Sequence, residues 1–247
     1  MTIMSGRPRE SETPVAFGNR ALSGPRLPPA RGTATHLVVL CHGYGADGND
    51  LIGLAPYWQR LLPTAAFVAP NAPERCPGSA GHQWFPIARL DPGEMQKGVS
   101  RAGPALEAFL VAELARYQLT AERLALVGFS QGTMMALHVG LSRAGKAAAI
   151  VGFSGMFAGG ETMPALGADT PPILLVHGDA DTMIPVEAVF ASAAALGRAG
   201  AGVQWHVSSG IGHSIDEQGL ALAGKFLAMA FRGQLGREAQ SISCAIG

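Results

Sequence analysis

The sequence predicts an α/β fold in which a mostly parallel central sheet is covered by helices on both faces. Six short apolar runs recur along the chain, and Gly, Pro or Ser follows closely after each of them. Such near-continuous hydrophobic runs are typical of strands in a parallel sheet that is buried on both faces. Helical patterns lie between most of the runs, and this alternation favours right-handed crossover connections. The predicted strands are His36 to Cys41, Ala65 to Ala69, Arg123 to Val127, Ala147 to Gly152, Ile173 to His177 and Val203 to Val207.

Length and composition are those of a globular protein with a sizeable core. The chain has 247 residues, of which 48% are hydrophobic and 15% are charged, and its formal net charge is zero. This balanced charge provides no basic surface for nucleic acid. No apolar stretch is long enough to span a bilayer, so we expect no stable membrane insertion. The three cysteines are far apart and odd in number, which favours reduced thiols, no zinc site and a cytoplasmic location.

A single domain is predicted between two terminal segments. Residues 1–33 contain five prolines among scattered arginines, which predicts an N-terminal arm that is disordered over its first dozen residues. Within this arm, Val15-Ala16-Phe17 is a candidate edge strand. Residues 34–231 contain the six apolar runs and the helical patterns, and we expect them to form one α/β domain. Residues 232–247 lack a pattern and are predicted to be a fraying C-terminal tail.

Apolar stripes at helical spacing predict helices that face the core. Ser214 and Glu217 precede the last stripe and predict a capping box at the start of its helix. The three stripes are Leu106, Phe109, Leu110, Leu114 and Tyr117; Val186, Val189, Phe190 and Ala193; and Leu220, Ala223, Leu227 and Ala230.

One connection, from Pro70 to Gly93, interrupts the alternation of strands and helices. It contains five prolines and shows no clear periodicity. Long irregular segments in compact domains are usually either functional or disordered. Because this one carries Trp84 and Phe85, we expect it to fold over a functional site.

The pentapeptide Gly128-Phe129-Ser130-Gln131-Gly132 lies between an apolar run and a helix-like run. This order predicts a strand, a sharp turn and a helix, with Ser130 at the apex. A strained backbone there would hold the hydroxyl clear of the sheet, and the flanking glycines would let strand and helix approach closely. The following helix would direct its free N–H groups towards the serine. The alternative is a glycine-rich turn with an incidental serine.

A serine nucleophile needs a histidine base that is oriented by a carboxylate. Asp179 and Asp181 follow the fifth predicted strand and His213 follows the sixth, so all three lie at the carboxyl end of the predicted sheet. The chain order Ser130, Asp181, His213 matches that of doubly wound enzymes with a serine nucleophile. Asp181 is favoured over Asp179 because it lies farther from the strand, whereas Asp179 is placed to fix the turn. For His213 the alternative is a structural histidine of the turn.

The loop after the first predicted strand has two interpretations. Gly43, Gly45 and Gly48 match a dinucleotide-binding fingerprint, but the next strand ends without the acid that would bind a ribose. Alternatively, the loop supplies one of the two backbone N–H donors that an acyl-transfer site needs for its oxyanion. Tyr44 would then be one donor, and Gln131, directly after the serine, would be the other.

Five stretches together resemble a known family. They are Leu40 to Asp50, Trp84-Phe85, Gly128 to Gly132, His177 to Asp181 with Ile184-Pro185, and Gly212-His213. In this order they resemble the phospholipase/carboxylesterase family of α/β-hydrolases, which includes acyl-protein thioesterases.

The resemblance implies an α/β-hydrolase fold, a catalytic triad of Ser130, Asp181 and His213, and oxyanion donors at Tyr44 and Gln131. It also implies a small hydrolase without a lid, with a shallow acyl groove, of a kind that is often a homodimer.

Three positions depart from the family's pattern, since Tyr44 replaces a common leucine, Pro86 a common aspartate and Thr133 a common glycine. We expect only the first two to affect substrate choice. We predict a serine carboxylesterase without cofactor or metal, whose small ester substrates have short-to-medium acyl chains bound by Tyr44, Trp84 and Phe85. The same machinery would serve an acyl-protein thioesterase or a lysophospholipase. The alternative from another class is a catalytically silent binding protein with the hydrolase fold.

Overall fold

A computed structural model describes residues 21–143, 145–159, 165–167 and 170–235. These residues contain nine strands and six α-helices. The strands are β1 (Arg26–Leu27), β2 (His36–Cys41), β3 (Ala65–Val68), β4 (Glu74–Arg75), β5 (His82–Gln83), β6 (Leu124–Phe129), β7 (Ala149–Phe153), β8 (Ile173–Gly178) and β9 (Val203–Ser208). The helices are α1 (Gly48–Ile52), α2 (Ala55–Gln59), α3 (Pro92–Tyr117), α4 (Gln131–Ser142), α5 (Glu187–Arg198) and α6 (Glu217–Phe231).

Seven of the strands form one sheet in the order β1-β3-β2-β6-β7-β8-β9. Only β1 is antiparallel to its neighbour, and all other neighbouring pairs in this sheet are parallel. The predicted mostly parallel sheet is therefore confirmed, and each of the six predicted strands is present. Cys41 at the end of β2 pairs with Gly128 in β6. The loop after β2 and the turn after β6 consequently emerge side by side from the carboxyl edge of the sheet.

Helices cover both faces of the sheet, as predicted. One core cluster packs the sheet against α3, α4 and α5 and includes Leu106, Leu137 and Leu196. The other packs the opposite face against α1, α2 and α6 and includes Trp58 and Leu227. The buried strands β2, β3, β6, β7 and β8 have side chains in contact with one cluster or the other, which explains why their sequences are almost continuously apolar.

The chain segment before β2 contributes an edge strand to the sheet. Arg26 and Leu27 form β1, which pairs with Val68 and Phe67 of β3. The described part of the predicted arm thus contains an edge strand at Arg26–Leu27. The candidate edge strand Val15-Ala16-Phe17 lies outside the described residues, together with the rest of residues 1–20. Most of the predicted C-terminal tail, residues 236–247, also lies outside them.

The predicted capping box at the start of α6 is wrong. The N-cap is Asp216, whose carboxylate accepts hydrogen bonds from the Gly219 backbone N–H at 3.1 Å and from the Ser208 hydroxyl at 2.8 Å. Ser214 lies two residues too early, and its carbonyl oxygen accepts a hydrogen bond from Ser154. An aspartate directly before the first helical residue caps the helix as well as serine would, and the bond to β9 adds a tertiary anchor.

The connection after β3 is more ordered than its prolines suggest. It contains a two-stranded ribbon of β4 and β5, and α3 begins at its end with Asp91 as N-cap. His82 in the ribbon bonds to the loop after β2, donating its backbone N–H to Ala46 and accepting from the Gly45 N–H. The connection therefore folds back onto the loop after β2. Among the helices described, none is both long enough and apolar enough to cross a membrane.

Candidate active site

The turn between β6 and α4 has the strained geometry that the pentapeptide predicts. Ser130 has φ 53° and ψ −116°, in the left-handed region that non-glycine residues rarely occupy. Its backbone N–H donates to the Phe153 carbonyl at 2.9 Å, which ties the apex to β7. The strand–turn–helix with a serine at its apex is therefore confirmed, and it presents the Ser130 side chain at the carboxyl edge of the sheet.

The two glycines flanking the serine are required by close backbone contacts. A Cβ at Gly128 would overlap the backbone of Gly132, where helix α4 begins. A Cβ at Gly132 would overlap the carbonyl oxygen of Cys41 at the end of β2. These contacts bring the first turn of α4 directly against the sheet. The backbone N–H of Gln131, the first residue of the helix, has no acceptor within the helix and lies directly after the serine.

His213 and Asp181 are joined at the same edge of the sheet. The loops after β8 and β9, which are neighbouring parallel strands, bring His213 Nδ1 within 2.8 Å of Asp181 Oδ2. The other oxygen, Oδ1, accepts the backbone N–H groups of Met183 at 2.8 Å and Ile184 at 2.9 Å. Burial alone would raise the pKa of Asp181, but these hydrogen bonds and the nearby imidazole together lower it. The carboxylate is therefore ionised and accepts a hydrogen bond from the Nδ1–H group of His213.

Asp179, the competing carboxylate, is bonded elsewhere. Its Oδ1 accepts the Gly210 backbone N–H at 2.6 Å, which links the loops after β8 and β9. It lies on the exposed surface, whereas Asp181 is buried. The structure thus brings Asp181, and not Asp179, together with His213.

The imidazole of His213 packs beside the serine turn. Its ring lies 5.0 Å, centroid to centroid, from the ring of Phe129, the residue before Ser130. The loop after β2 approaches the same point, since a Cβ at Gly43 would lie 3.3 Å from the Ser130 Cβ. Tyr44 is the next residue and is 42% exposed. The residues predicted as nucleophile, base, acid and oxyanion donors therefore converge on one edge of the sheet.

Trp84 and Phe85 occupy positions that the predicted substrate contact does not explain. They are 0% and 1% exposed and belong to the core on the α3 side. Trp84 donates its backbone N–H to Gln131 Oε1 at 2.9 Å, and Gln131 Nε2 donates to the Phe85 carbonyl at 2.7 Å. The Trp84 indole N–H donates to the His42 carbonyl at 2.9 Å. This pair of residues therefore joins the serine turn to the first loop from inside the protein.

Two further residues at the site, His177 and Met183, and the side-chain role of Gln131 were not predicted from the sequence. The side chain of Gln131 fastens the Trp84-Phe85 segment, besides the predicted role of its backbone N–H. His177, fully buried, lies 3.3 Å from Asp181 Oδ2 and is also bonded to the Ile184 carbonyl at 2.8 Å. Met183 is 65% exposed next to Asp181. Gln131 directly follows Ser130, and Met183 lies two residues after Asp181. This closeness in sequence to predicted catalytic residues is the signal that could have identified them.

In the described part of the chain, the possible metal ligands are scattered and both cysteine thiols are buried. The His, Cys, Asp and Glu side chains of this part form no group of three or more that could hold a metal ion. Cys41 and Cys76 are free and buried, and burial raises the pKa of the Cys41 thiol to about 12. That thiol stays protonated and is a poor nucleophile.

A central sheet of this topology, with a serine at a strained strand-to-helix turn and a His–Asp pair on later loops, defines an α/β-hydrolase. The chain belongs to the phospholipase/carboxylesterase family, whose model matches residues 24–231. It is a hydrolase of that family. This membership does not support the dinucleotide-binding interpretation of Gly43, Gly45 and Gly48 in the loop after β2.

Similar proteins that are named as esterases or thioesterases support membership of this family. The chain is similar to esterase YpfH of Escherichia coli K12, with 28% identity over 195 residues that cover 77% of this chain and 81% of the relative. It is similar to acyl-protein thioesterase 1 of Gibberella zeae, with 28% identity over 212 residues that cover 77% and 88% of the two chains. The crystal structure of esterase PE8 superposes with a TM-score of 0.80 at 43% identity, over 84% of this chain and 98% of that one.

Proposed function

We propose that this hydrolase is a serine carboxylesterase that cleaves esters with short-to-medium acyl chains through Ser130, His213 and Asp181. The observation that carries the proposal is the 2.8 Å bond between His213 and a buried Asp181, at the edge of the sheet where the strained turn presents Ser130. A carboxylate that holds Nδ1–H leaves Nε2 of the same ring unprotonated and able to take a proton.

The reaction would proceed through an acyl-enzyme. Ser130 Oγ attacks the ester carbonyl while His213 Nε2 removes its proton, and Asp181 stabilises the imidazolium that forms. The backbone N–H groups of Tyr44 and Gln131 bind the oxygen of the tetrahedral intermediate. The intermediate collapses when His213 protonates the leaving alcohol. His213 then activates a water molecule, which releases the acid and regenerates the serine.

Exposed apolar side chains beside the site favour an apolar acyl chain. Tyr44, whose backbone N–H is a proposed oxyanion donor, is 42% exposed, and Met183, whose backbone N–H donates to Asp181, is 65% exposed. The buried Trp84 and Phe85 would support this surface from beneath rather than form it. An acyl-protein thioesterase remains a second candidate, because the Gibberella zeae relative carries that name and a thioester would use the same residues.

Replacing the nucleophile tests the proposal. Ser130→Ala should abolish the burst of nitrophenol from p-nitrophenyl esters and labelling by a fluorophosphonate probe, because no oxygen remains to be acylated. Ser209→Ala, which changes an exposed serine of the loop after β9, is the matched control and should retain both. Labelled, active Ser130→Ala protein would refute the assignment, and wild-type protein that is neither active nor labelled would favour a silent binding protein.

The substrate class is tested by a panel of esters, matched thioesters and lysophospholipids of increasing chain length. The carboxylesterase proposal expects the largest kcat/KM for short-to-medium esters, whereas a preference for long-chain thioesters would support the thioesterase instead. We further propose a cytoplasmic homodimer, which light scattering of the purified protein and fractionation of the source cells would test.

A further inference from the structure

His42 is a buried histidine that the reaction above does not use. It directly follows β2 and is completely inaccessible to solvent. The backbone N–H of Ala72 donates to its Nε2 at 2.9 Å, and its Nδ1 lies 2.7 Å from the carbonyl oxygen of Gly43. Because Nε2 accepts a hydrogen bond, the proton of the neutral ring must be on Nδ1, which donates to Gly43. Burial, the largest influence, lowers the pKa of His42 and keeps the ring neutral.

This hydrogen bond determines how one peptide group faces. The Gly43 carbonyl oxygen accepts from His42 Nδ1 and also from the Ala46 backbone N–H at 3.3 Å. The same peptide unit contains the N–H of Tyr44, and in a trans peptide the N–H points opposite to the C=O. A carbonyl held towards His42 therefore directs the Tyr44 N–H away from it, and rotating that N–H would break both bonds.

Ser130 lies against the same loop, since a Cβ at Gly43 would lie 3.3 Å from the Ser130 Cβ. Within the described residues, no protein acceptor is bonded to the Tyr44 N–H. The His42 carbonyl is in turn held by the Trp84 indole, and Trp84 is bonded to Gln131 beside the serine. One buried network thus connects both proposed oxyanion donors.

We infer that His42 is a positioning residue that fixes the Tyr44 N–H as an oxyanion donor through the Gly43 carbonyl. This inference rests on the proposed function, since it assigns a task within the same reaction. His42 itself touches no substrate. Its contribution is made when negative charge develops on the substrate oxygen, so it should affect the rate of the chemical step more than substrate binding.

Two substitutions separate this role from simple support of the fold. In His42→Asn the amide nitrogen takes the position of Nδ1 and still donates to Gly43, but the acceptor for Ala72 is lost. In His42→Gln the longer side chain keeps an acceptor near the position of Nε2 for Ala72, but the donor to Gly43 is lost. Each variant loses one buried hydrogen bond, so we expect similar decreases in thermal stability.

The activities of the two variants should differ. Loss of one oxyanion donor typically lowers kcat by about a hundredfold to a thousandfold. We therefore expect His42→Gln to lose on the order of a hundredfold in kcat, with KM changed by less than about threefold, whereas His42→Asn should stay within about tenfold of wild type. Affinity for a boronic acid, which forms a tetrahedral adduct with the serine, should fall in parallel with kcat in His42→Gln.

The outcomes distinguish failure of this inference from failure of the proposed function. The proposed function holds if wild type is active and Ser130→Ala is not. In that case, equal activities of the two His42 variants, or a higher activity of His42→Gln than of His42→Asn, would overturn only the positioning role of His42. Should His42→Gln fail to fold, nitrogen-15 NMR of histidine-labelled wild type decides the matter. A neutral His42 with its proton on Nδ1 is expected, and a proton on Nε2 would refute the inference.

Discussion

At the scale of single residues, hydrogen bonding separates the roles of two aspartates that lie two positions apart. Asp181 is buried, and its oxygens accept two backbone N–H groups and the His213 ring. Asp179 is exposed and bonds to the Gly210 backbone instead. A buried carboxylate with its pKa lowered by these bonds is suited to hold an imidazole in one tautomer. Asp179 is suited to hold two loops together.

Asp181→Asn should therefore impair turnover far more than Asp179→Asn. The amide would still accept from the Met183 and Ile184 N–H groups, but its NH₂ would favour the wrong tautomer of His213. We expect kcat to fall by about 10³–10⁴-fold. Asp179→Asn keeps an oxygen for Gly210 and should remain within about tenfold of wild type. Steady-state kinetics on a p-nitrophenyl ester check the ranking, and the reverse order would exchange the two roles.

At the scale of elements, the close contact between helix α4 and strand β2 builds the site. Gly132 in the first turn of α4 touches the Cys41 carbonyl, and Gly128 in β6 touches that same turn. Because nothing larger than hydrogen fits at either position, the helix N-terminus is held directly beside Ser130. The Gln131 side chain then fastens the Trp84-Phe85 segment to the helix. The site thus depends on packing between elements as well as on its own side chains.

Gly132→Ala should show this dependence. A methyl group there would overlap the Cys41 carbonyl, which is backbone and cannot move aside without shifting β2. We expect a loss of about 3 kcal/mol in the free energy of unfolding, measured by chemical denaturation, together with a large loss of esterase activity.

Gly197→Ala in α5 is the matched control. Gly197 is helical and exposed, and an added Cβ would have no neighbour within 4 Å. The substitution should be neutral or should stabilise the protein by up to about 1 kcal/mol, because alanine favours the helix. Equal effects of the two substitutions would contradict the packing argument.

At the scale of the whole molecule, the segment before β2 is attached to the edge of the sheet, where β1 pairs with β3. Arg26 in β1 makes two hydrogen bonds to Glu113 of α3, at 2.6 and 3.0 Å, and Arg116 contacts the same carboxylate at 3.2 Å. The side chain of Glu113 is almost fully buried. Strand pairing with β3 and this ion pair therefore fasten the start of the described chain to two elements at once.

Arg26→Ala should destabilise the protein by about 1–3 kcal/mol, because a buried carboxylate would lose its bidentate partner and keep only Arg116. Arg89→Ala is the control, since Arg89 pairs with Glu94 on the open surface, where such pairs contribute about 0–1 kcal/mol. Thermal denaturation of both variants measures the difference. Equal melting temperatures for the two variants would show that the Arg26–Glu113 pair contributes no more to stability than the exposed Arg89–Glu94 pair.

The effect of Arg26→Ala should also depend on pH. Burial alone would raise the pKa of Glu113, but its bonds to Arg26 and the charge of Arg116 together lower it below its ordinary value of 4.5. A lowered pKa in the folded state stabilises the fold above the unfolded value, and this contribution is lost as pH falls through the folded value. The difference in melting temperature between wild type and variant should thus be larger at pH 7 than at pH 3. A constant difference would argue against the ion pair.

Much of this molecule follows from local sequence. The buried strands are apolar along their whole length because both faces of the sheet are covered, so their pattern identifies them without the structure. Ser130 between its two glycines, and the positions of Asp181 and His213 after later strands, indicate the site because topology alone brings those loops to one edge. Local patterns were less reliable at the start of α6, where Asp216 and not Ser214 is the cap.

Other features were decided only by tertiary structure. Trp84 and Phe85 are predicted from the sequence to bind the acyl chain in a proline-rich segment over the site, yet contacts with Gln131 and His42, more than 40 positions away in the chain, hold them in the core. The sequence already favours Asp181 over Asp179, but the hydrogen bond to His213 that distinguishes them forms only within the folded loops. The orientation of the Gly43 carbonyl by His42 likewise depends on a hydrogen bond within a folded loop. Periodicity reports which side of an element is buried, whereas the direction of a hydrogen bond depends on the particular atoms that the fold brings together.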